Sequence, residues 1–168
     1  MAKKFRGDPI YIKGLGLSCN QMLPHFEPGF DWLGFEMNKA AARQAYEQAG
    51  IKNPRKEINV AIVHDCFSIT ELVIYEDLGF SPRGKGWEDV WAGTFELGGE
   101  LPVNTDGGLK CFGHPVGASG IRMTYEVYKQ LQGKAGPRQV KNAERGLSHT
   151  LGGPPQVACV LVLGNSTG

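Results

Sequence analysis

The chain has 168 residues, enough for one domain with a real core but not for two large ones. Hydrophobic residues make up 41% and charged residues 21%, the balance of an ordinary soluble globular protein. A formal net charge of +1 gives no argument for nucleic acid or an acidic surface as the main partner, although a few local basic residues can still meet a phosphate. The four cysteines, Cys19, Cys66, Cys111 and Cys159, form no C-x-x-C pair, so a zinc site is not expected. No signal peptide or long apolar run is visible, and Met1-Ala-Lys-Lys is too short and polar for a targeting segment. The expectation is a cytoplasmic protein with reduced thiols, no membrane span and no bound metal.

In chain order, Pro9 to Leu17 reads as a strand that runs into glycines, followed by a loop broken by Pro24 and Pro28. From Leu33 to Ala49 the period turns helical: Leu33, Met37, Ala40, Ala41 and Ala45 share a face, Asp31 is a candidate cap and Gly50 a stop. Asn59 to His64 is a β-branched run that predicts a buried strand. It passes directly into a second helix over Asp65–Leu78, with Phe67, Leu72, Ile74, Tyr75 and Leu78 at helical spacing. Ser81 to Gly99, carrying Trp87 and Trp91, reads as a long excursion, and Asn104 to Gly120 as a glycine-rich loop. Ile121 to Gln132 is a third helix with Met123, Val127 and Leu131 on one side. Two closing strands, Gly146 to Thr150 and Gln156 to Leu163, flank the turn at Gly152–Pro155. The order β-α-β-α-loop-α-β-β predicts a layered α-β-α fold of the α/β class with a mixed sheet, as one domain over 1–168.

Three clusters carry chemistry. His64-Asp65-Cys66-Phe67 falls where a strand meets a helix, the usual place for ligands in α/β proteins. Positive helix ends and free backbone amides there favour thiolates, so Cys66 is a candidate acid/base. The alternative is a buried cysteine in a first helical turn beside a core histidine. Asn104 to Gly120 packs five glycines with His114, which the following proline holds in an extended conformation. Such a loop leading into a helix can meet a phosphate or a developing oxyanion, or can be a structural turn. It is neither a Walker loop nor a dinucleotide fingerprint. Ser148-His149-Thr-Leu-Gly152-Gly153 places a histidine near a tight turn, where a structural role is the commoner one.

Together these clusters resemble the C-terminal half of thiolases. The block N-x-x-G-G-x-x-x-x-G-H-P-x-G-A-[ST]-G is matched from Asn104 to Gly120 at every fixed position. The H-D-C-F block of the sterol-carrier-protein-related and archaeal–bacterial acetyl-CoA acetyltransferase-like branch is matched by His64 to Phe67. The resemblance runs from about Pro9 to Leu163. It implies a thiolase-like half that acts on acyl-CoA with coenzyme A as a substrate and no other cofactor, in Claisen condensation or thiolytic cleavage of a 3-ketoacyl-CoA. It implies that His114 activates a nucleophilic cysteine, that His64 binds the thioester oxygen and that Cys66 is the acid/base at the α-carbon. Asn104, Gly113, His149, Gly152 and Gly153 would line the site, and Gly107, Gly108, Gly117, Ala118 and Ser119 would form the loop that meets CoA.

Two departures qualify this picture. The late C-x-G motif of many thiolases is absent: the corresponding region, Ser148 to Gly153, has no cysteine, which gives Cys66 more weight. None of the four cysteines sits in a nucleophile motif, so the nucleophile is expected from an N-terminal half, as a separate chain or as the rest of a longer protein. The Pro154-Pro155 pair is less familiar and could reshape an acyl pocket. The resemblance also implies a homo- or hetero-oligomer and raises a zinc-ribbon OB-fold partner. Alternatives are a CoA-linked retro-aldolase component, for which tyrosine acid/base residues would be expected in the H-D-C-F block, and a non-catalytic thiolase-like scaffold.

Overall fold

The computed structural model describes residues 2–20, 26, 28–153 and 156–167. Four strands form one mixed sheet: β1 (Tyr11–Cys19), β2 (Val60–Ile62), β3 (Arg145–Gly152) and β4 (Val157–Gly164), in the order β1-β4-β3-β2. β1 and β3 each run antiparallel to β4, whereas β2 and β3 are parallel, with Val60 opposite Gly146 and Ile62 opposite Ser148. The parallel pair requires a crossover, and the chain from residue 63 to residue 144 provides it. The helices are α1 (Glu36–Ala49), α2 (Pro54–Glu57), α3 (Ser68–Asp77), α4 (Gly86–Trp91), α5 (Gly108–Phe112) and α6 (Ser119–Leu131).

Alternation along the strands separates two cores, one on each face of the sheet. Ala61, Val63, Leu147, Val160 and Val162 point into the core shared with Met37, Ala41 and Ala45 of α1 and with Ile74 and Leu78 around α3. Val60, Ile62 and Leu163 point the other way, onto Met123, Val127 and Leu131 of α6. This is the layered α-β-α arrangement. Each of those three α6 side chains is at most 5% exposed, and burial of such a group contributes about 1.5–3 kcal/mol. α1 lies unusually close to β1. A Cβ at Gly14 would stand 2.1 Å from the carbonyl oxygen of Ala45, and one at Gly16 would stand 1.8 Å from that of Ala41. Glycine at these two positions lets helix and strand meet backbone to backbone.

Several local expectations are corrected. α1 begins at Glu36, three residues after Leu33, which is 54% exposed. Asp31 does not cap it; its carboxylate accepts the Leu33 N–H, while Asp77 accepts the N–H of Phe35 at 2.9 Å. A buried carboxylate from α3 thus takes the place of a local cap. α3 begins at Ser68 rather than Asp65, so Asp65, Cys66 and Phe67 form a connector, and Phe67 is exposed. The Ser81–Gly99 excursion contains α4, held by Arg55, whose guanidinium binds Asp89 at 2.8 and 2.9 Å. The Asn104–Gly120 loop contains α5 and the first residues of α6. Pro24 and the Pro154-Pro155 pair lie outside the described residues. No helix among the described residues is long and apolar enough to cross a membrane.

Candidate active site

β2 delivers His64 two residues past its last paired position, and α5 leads through Gly113 to His114. The two imidazoles meet edge to face, with ring centroids 4.7 Å apart and planes at 78°. His64 is 3% exposed, whereas His114 is exposed. Burial, and then the neighbouring His114, push the His64 pKa down to about 4, against the opposing charge of Asp65. His64 is therefore neutral near pH 7, and a neutral imidazole has one N–H to donate and one lone pair to accept.

His114 is held by Ser119 in the first turn of α6: its Nδ1 stands 2.7 Å from the hydroxyl Oγ. That hydroxyl also donates to the carbonyl oxygen of Pro115 at 3.1 Å. A hydroxyl has one proton, and with that proton on Pro115 the short contact to Nδ1 is an N–H donated by His114. The lone pair of His114 is then on Nε2, the nitrogen free to take a proton from a reactant. Ser119, expected in a CoA-meeting loop, is the partner of the histidine, 5% exposed at the start of α6. Hydroxyl spacing from a G-H-P motif is the sequence signal that would have suggested this contact.

Cys66 is half-buried, with its Sγ 3.8 Å from the Thr70 hydroxyl. Asn104 stands behind the site rather than lining it. Its carbonyl accepts the Val63 N–H at 2.9 Å and its amide donates to Glu71 at 2.6 Å. Glu71 in turn accepts the Tyr75 hydroxyl at 2.7 Å.

A groove of about 830 Å³ opens beside the histidine pair. It runs along α6 past Gly117, Gly120, Ile121 and Tyr125, over a floor made by Leu15, Thr150 and Leu161. Gly152, Gly153 and Ser119 also line it, whereas Asn104, Gly107, Gly108, Gly113 and Ala118 do not. Cys159 is half-buried on this wall, and burial raises its thiol pKa. The groove is the uncovered part of the sheet face: α6 screens β2 and β3, but Leu15 and Leu17 of β1 remain 47% and 55% exposed.

His149 was expected near the site, but it points to the opposite face. It follows Leu147 on the α1 side of β3, fully buried, with its Nε2 3.1 Å from the Asn38 carbonyl oxygen. Asn38 donates its amide to Asp77 at 2.9 Å. Because that Asp77 oxygen already accepts the Phe35 N–H, the Asn38 amide is oriented with its oxygen toward the ring, and His149 must donate. Burial and then His64 lower the His149 pKa to about 3, while burial raises that of Asp77 to about 6. Among the described residues no group of three His, Cys, Asp or Glu side chains is placed to hold a metal ion.

Comparison with known proteins places these features in a family. The family model "Thiolase C-terminal domain-like" matches residues 25–165. The chain is 39% identical over 160 residues to an acetyl-CoA acetyltransferase of Methanothermobacter thermautotrophicus, covering 95% of this chain and 41% of that protein. It is 45% identical over 149 residues to sterol carrier protein 2 of Homo sapiens, covering 85% of this chain and 27% of that protein. Among solved structures, the "Ltp2-ChsH2(DUF35) aldolase" superposes with a TM-score of 0.80 at 26% identity, over 96% of this chain and 41% of that one. The chain therefore spans about two-fifths or less of the relatives named. With the family model matched over most of its length, the chain belongs to the thiolase C-terminal domain-like family.

Proposed function

We propose that this chain is the histidine and acid/base half of a thiolase-type acyl-CoA acyltransferase, acting in the cytoplasm with an N-terminal half that carries the nucleophilic cysteine. The observation that carries the reading is the His64–His114 pair at the head of an apolar groove. In the cleavage direction, the nucleophilic cysteine gives its thiol proton to His114 Nε2 and its thiolate attacks the ketone carbon of a 3-ketoacyl-CoA. The carbon–carbon bond breaks, and its electron pair passes to the thioester enolate, whose oxygen accepts an N–H from His64. Cys66 protonates the α-carbon, releasing acetyl-CoA. The thiol of free CoA then attacks the acyl-cysteine and gives its proton to the Cys66 thiolate. The departing cysteine thiolate takes its proton back from His114. Condensation is the same sequence reversed, and coenzyme A enters only as a substrate.

The exposed sheet face beside α6 is where the N-terminal half would pack, since Leu15, Leu17 and Ile121 present apolar surface next to the histidines. The test is cleavage of acetoacetyl-CoA by free CoA, with this chain assayed alone and together with an N-terminal thiolase half. Activity that appears only in the pair supports the reading. A pair that assembles and yet stays inactive towards 3-ketoacyl-CoA esters rejects it. A second reading, as a component of a CoA-linked retro-aldolase with an OB-fold partner, is favoured by the structural neighbour, which is itself named an aldolase. Retention of His64 and Cys66, instead of tyrosines, weighs for the thiolase.

A further inference from the structure

Two side chains cross between the strand-end motif and the glycine block in opposite directions. Asn104 reaches from the block to the Val63 N–H. Asp65 reaches back: its carboxylate, in a residue 3% exposed, accepts the Leu109 N–H at 2.8 Å. Leu109 lies in the first turn of α5, the helix whose far end leads to His114. The approach is close enough to dictate the sequence. Gly108 has φ +63°, and a Cβ on it would stand 2.1 Å from one Asp65 oxygen. Both the backbone conformation and the carboxylate exclude a side chain there. A buried carboxylate is stable only when hydrogen-bonded, and the backbone amide of α5 supplies that partner. Asp65 is buried, with its carboxylate turned to the Leu109 amide and Gly108, so it is not open to a substrate.

We propose that Asp65 is a positioning residue: it fastens the first turn of α5 to the connector after β2 and so sets the spacing of His64 and His114. The structural half of this inference stands on geometry alone. Its kinetic half rests on the acyltransferase reading above.

Two substitutions separate the bond from the charge. Asn at 65 keeps an oxygen that can accept the Leu109 N–H; Ala keeps none. In the chain paired with its N-terminal half, Asp65→Ala is expected to lower kcat about 100-fold, the cost of a displacement near 1 Å at the reacting groups. KM should stay within a few-fold, and Asp65→Asn should recover most of the rate. In the chain itself, NMR should show an NOE between the His64 and His114 rings and slow hydrogen exchange at the Leu109 amide. Both should be lost in Asp65→Ala and kept in Asp65→Asn. Retention of the NOE and of kcat in Asp65→Ala overturns the proposal, as does an Asn variant as impaired as the Ala variant, because the charge would then be what matters. If Asp65→Ala does not fold, the wild-type Leu109 amide decides: free exchange there overturns the proposal, and protection that survives in Asp65→Asn supports it. A wild-type pair with no thiolase activity would defeat the functional reading, while the NOE and exchange results would still decide the role of Asp65.

Discussion

The His114 ring is held by Ser119, 2.7 Å from its Nδ1, and meets the His64 ring edge to face at 4.7 Å. The exposed histidine is therefore held in orientation by one buried hydroxyl. Replacing that hydroxyl (Ser119→Ala) should slow acylation about tenfold, the effect of one hydrogen bond worth roughly 1.4 kcal/mol. Thermal stability should change little. Single-turnover acylation with acetoacetyl-CoA measures the first quantity and a melting curve the second.

Removal of the base itself should cost more. His114→Ala is expected to slow acylation of the paired enzyme by about 10²–10⁴-fold, the span of general-base contributions. Mass spectrometry of the acyl-cysteine against time reads this directly. Undiminished acylation would take the base role away from His114.

Cys66→Ala should separate the two half-reactions. Formation of the acyl-enzyme from acetoacetyl-CoA, which precedes the proton transfer from Cys66, should survive, whereas exchange of the α-proton with deuterated solvent and net condensation should fall by about 10²–10⁴-fold. A variant that retains condensation would show that Cys66 is not the acid/base.

Stability should decline on acidification in a way that traces to the buried histidines. His149 and His64 have folded pKa values near 3 and 4, below the unfolded value of 6.5. Between pH 4 and 6.5 the unfolded chain thus binds protons at these sites that the folded chain refuses. Their contribution is fully present above pH 6.5 and is lost as the pH falls, at about 1.4 kcal/mol per pH unit for each proton. Asp77 works the other way: raised to about 6, it is protonated in the folded chain across much of the same window. The net slope should be near that of one proton, and His149→Gln should flatten it. Urea midpoints from pH 4 to pH 7 check the slope, and an unchanged slope in His149→Gln would contradict it.

The backbone contact between α1 and β1 predicts a large stability loss from a small change. Gly16→Ala puts a methyl group 1.8 Å from the Ala41 carbonyl oxygen, so the helix must move away, at about 3 kcal/mol. A matching change at Gly7, where nothing stands within 4 Å of the added Cβ, should be nearly neutral. Urea denaturation of the two variants beside the wild type measures both.

Period and composition made most of the fold legible. Met123, Val127 and Leu131 marked the buried side of α6, and the Val60–Val63 run marked a strand buried on both faces, because burial at fixed spacing leaves a trace in residue type. The start of α1 was not legible, because its first free amide is satisfied by Asp77, 42 residues along the chain. α5 was hidden by its glycines, which suggest a turn unless the carboxylate packed against Gly108 is known. At the site, sequence indicated His64 and His114 as candidates, and the fold brings them together. His149 misled for a geometric reason: along β3 a one-residue step changes the face, and Ser148 and Thr150 face the groove while His149 does not.

The parallel pairing of β2 with β3 also has a kinetic meaning. His64, Cys66, Asn104, His114 and Ser119 all lie in the crossover between those two strands. β2 joins the sheet only when a strand near residue 60 finds one near residue 147, a long-range closure of the kind that makes folding slow. A nascent chain halted short of β3 would already contain all five of these residues. It would still lack the strand that closes the crossover on which they are carried.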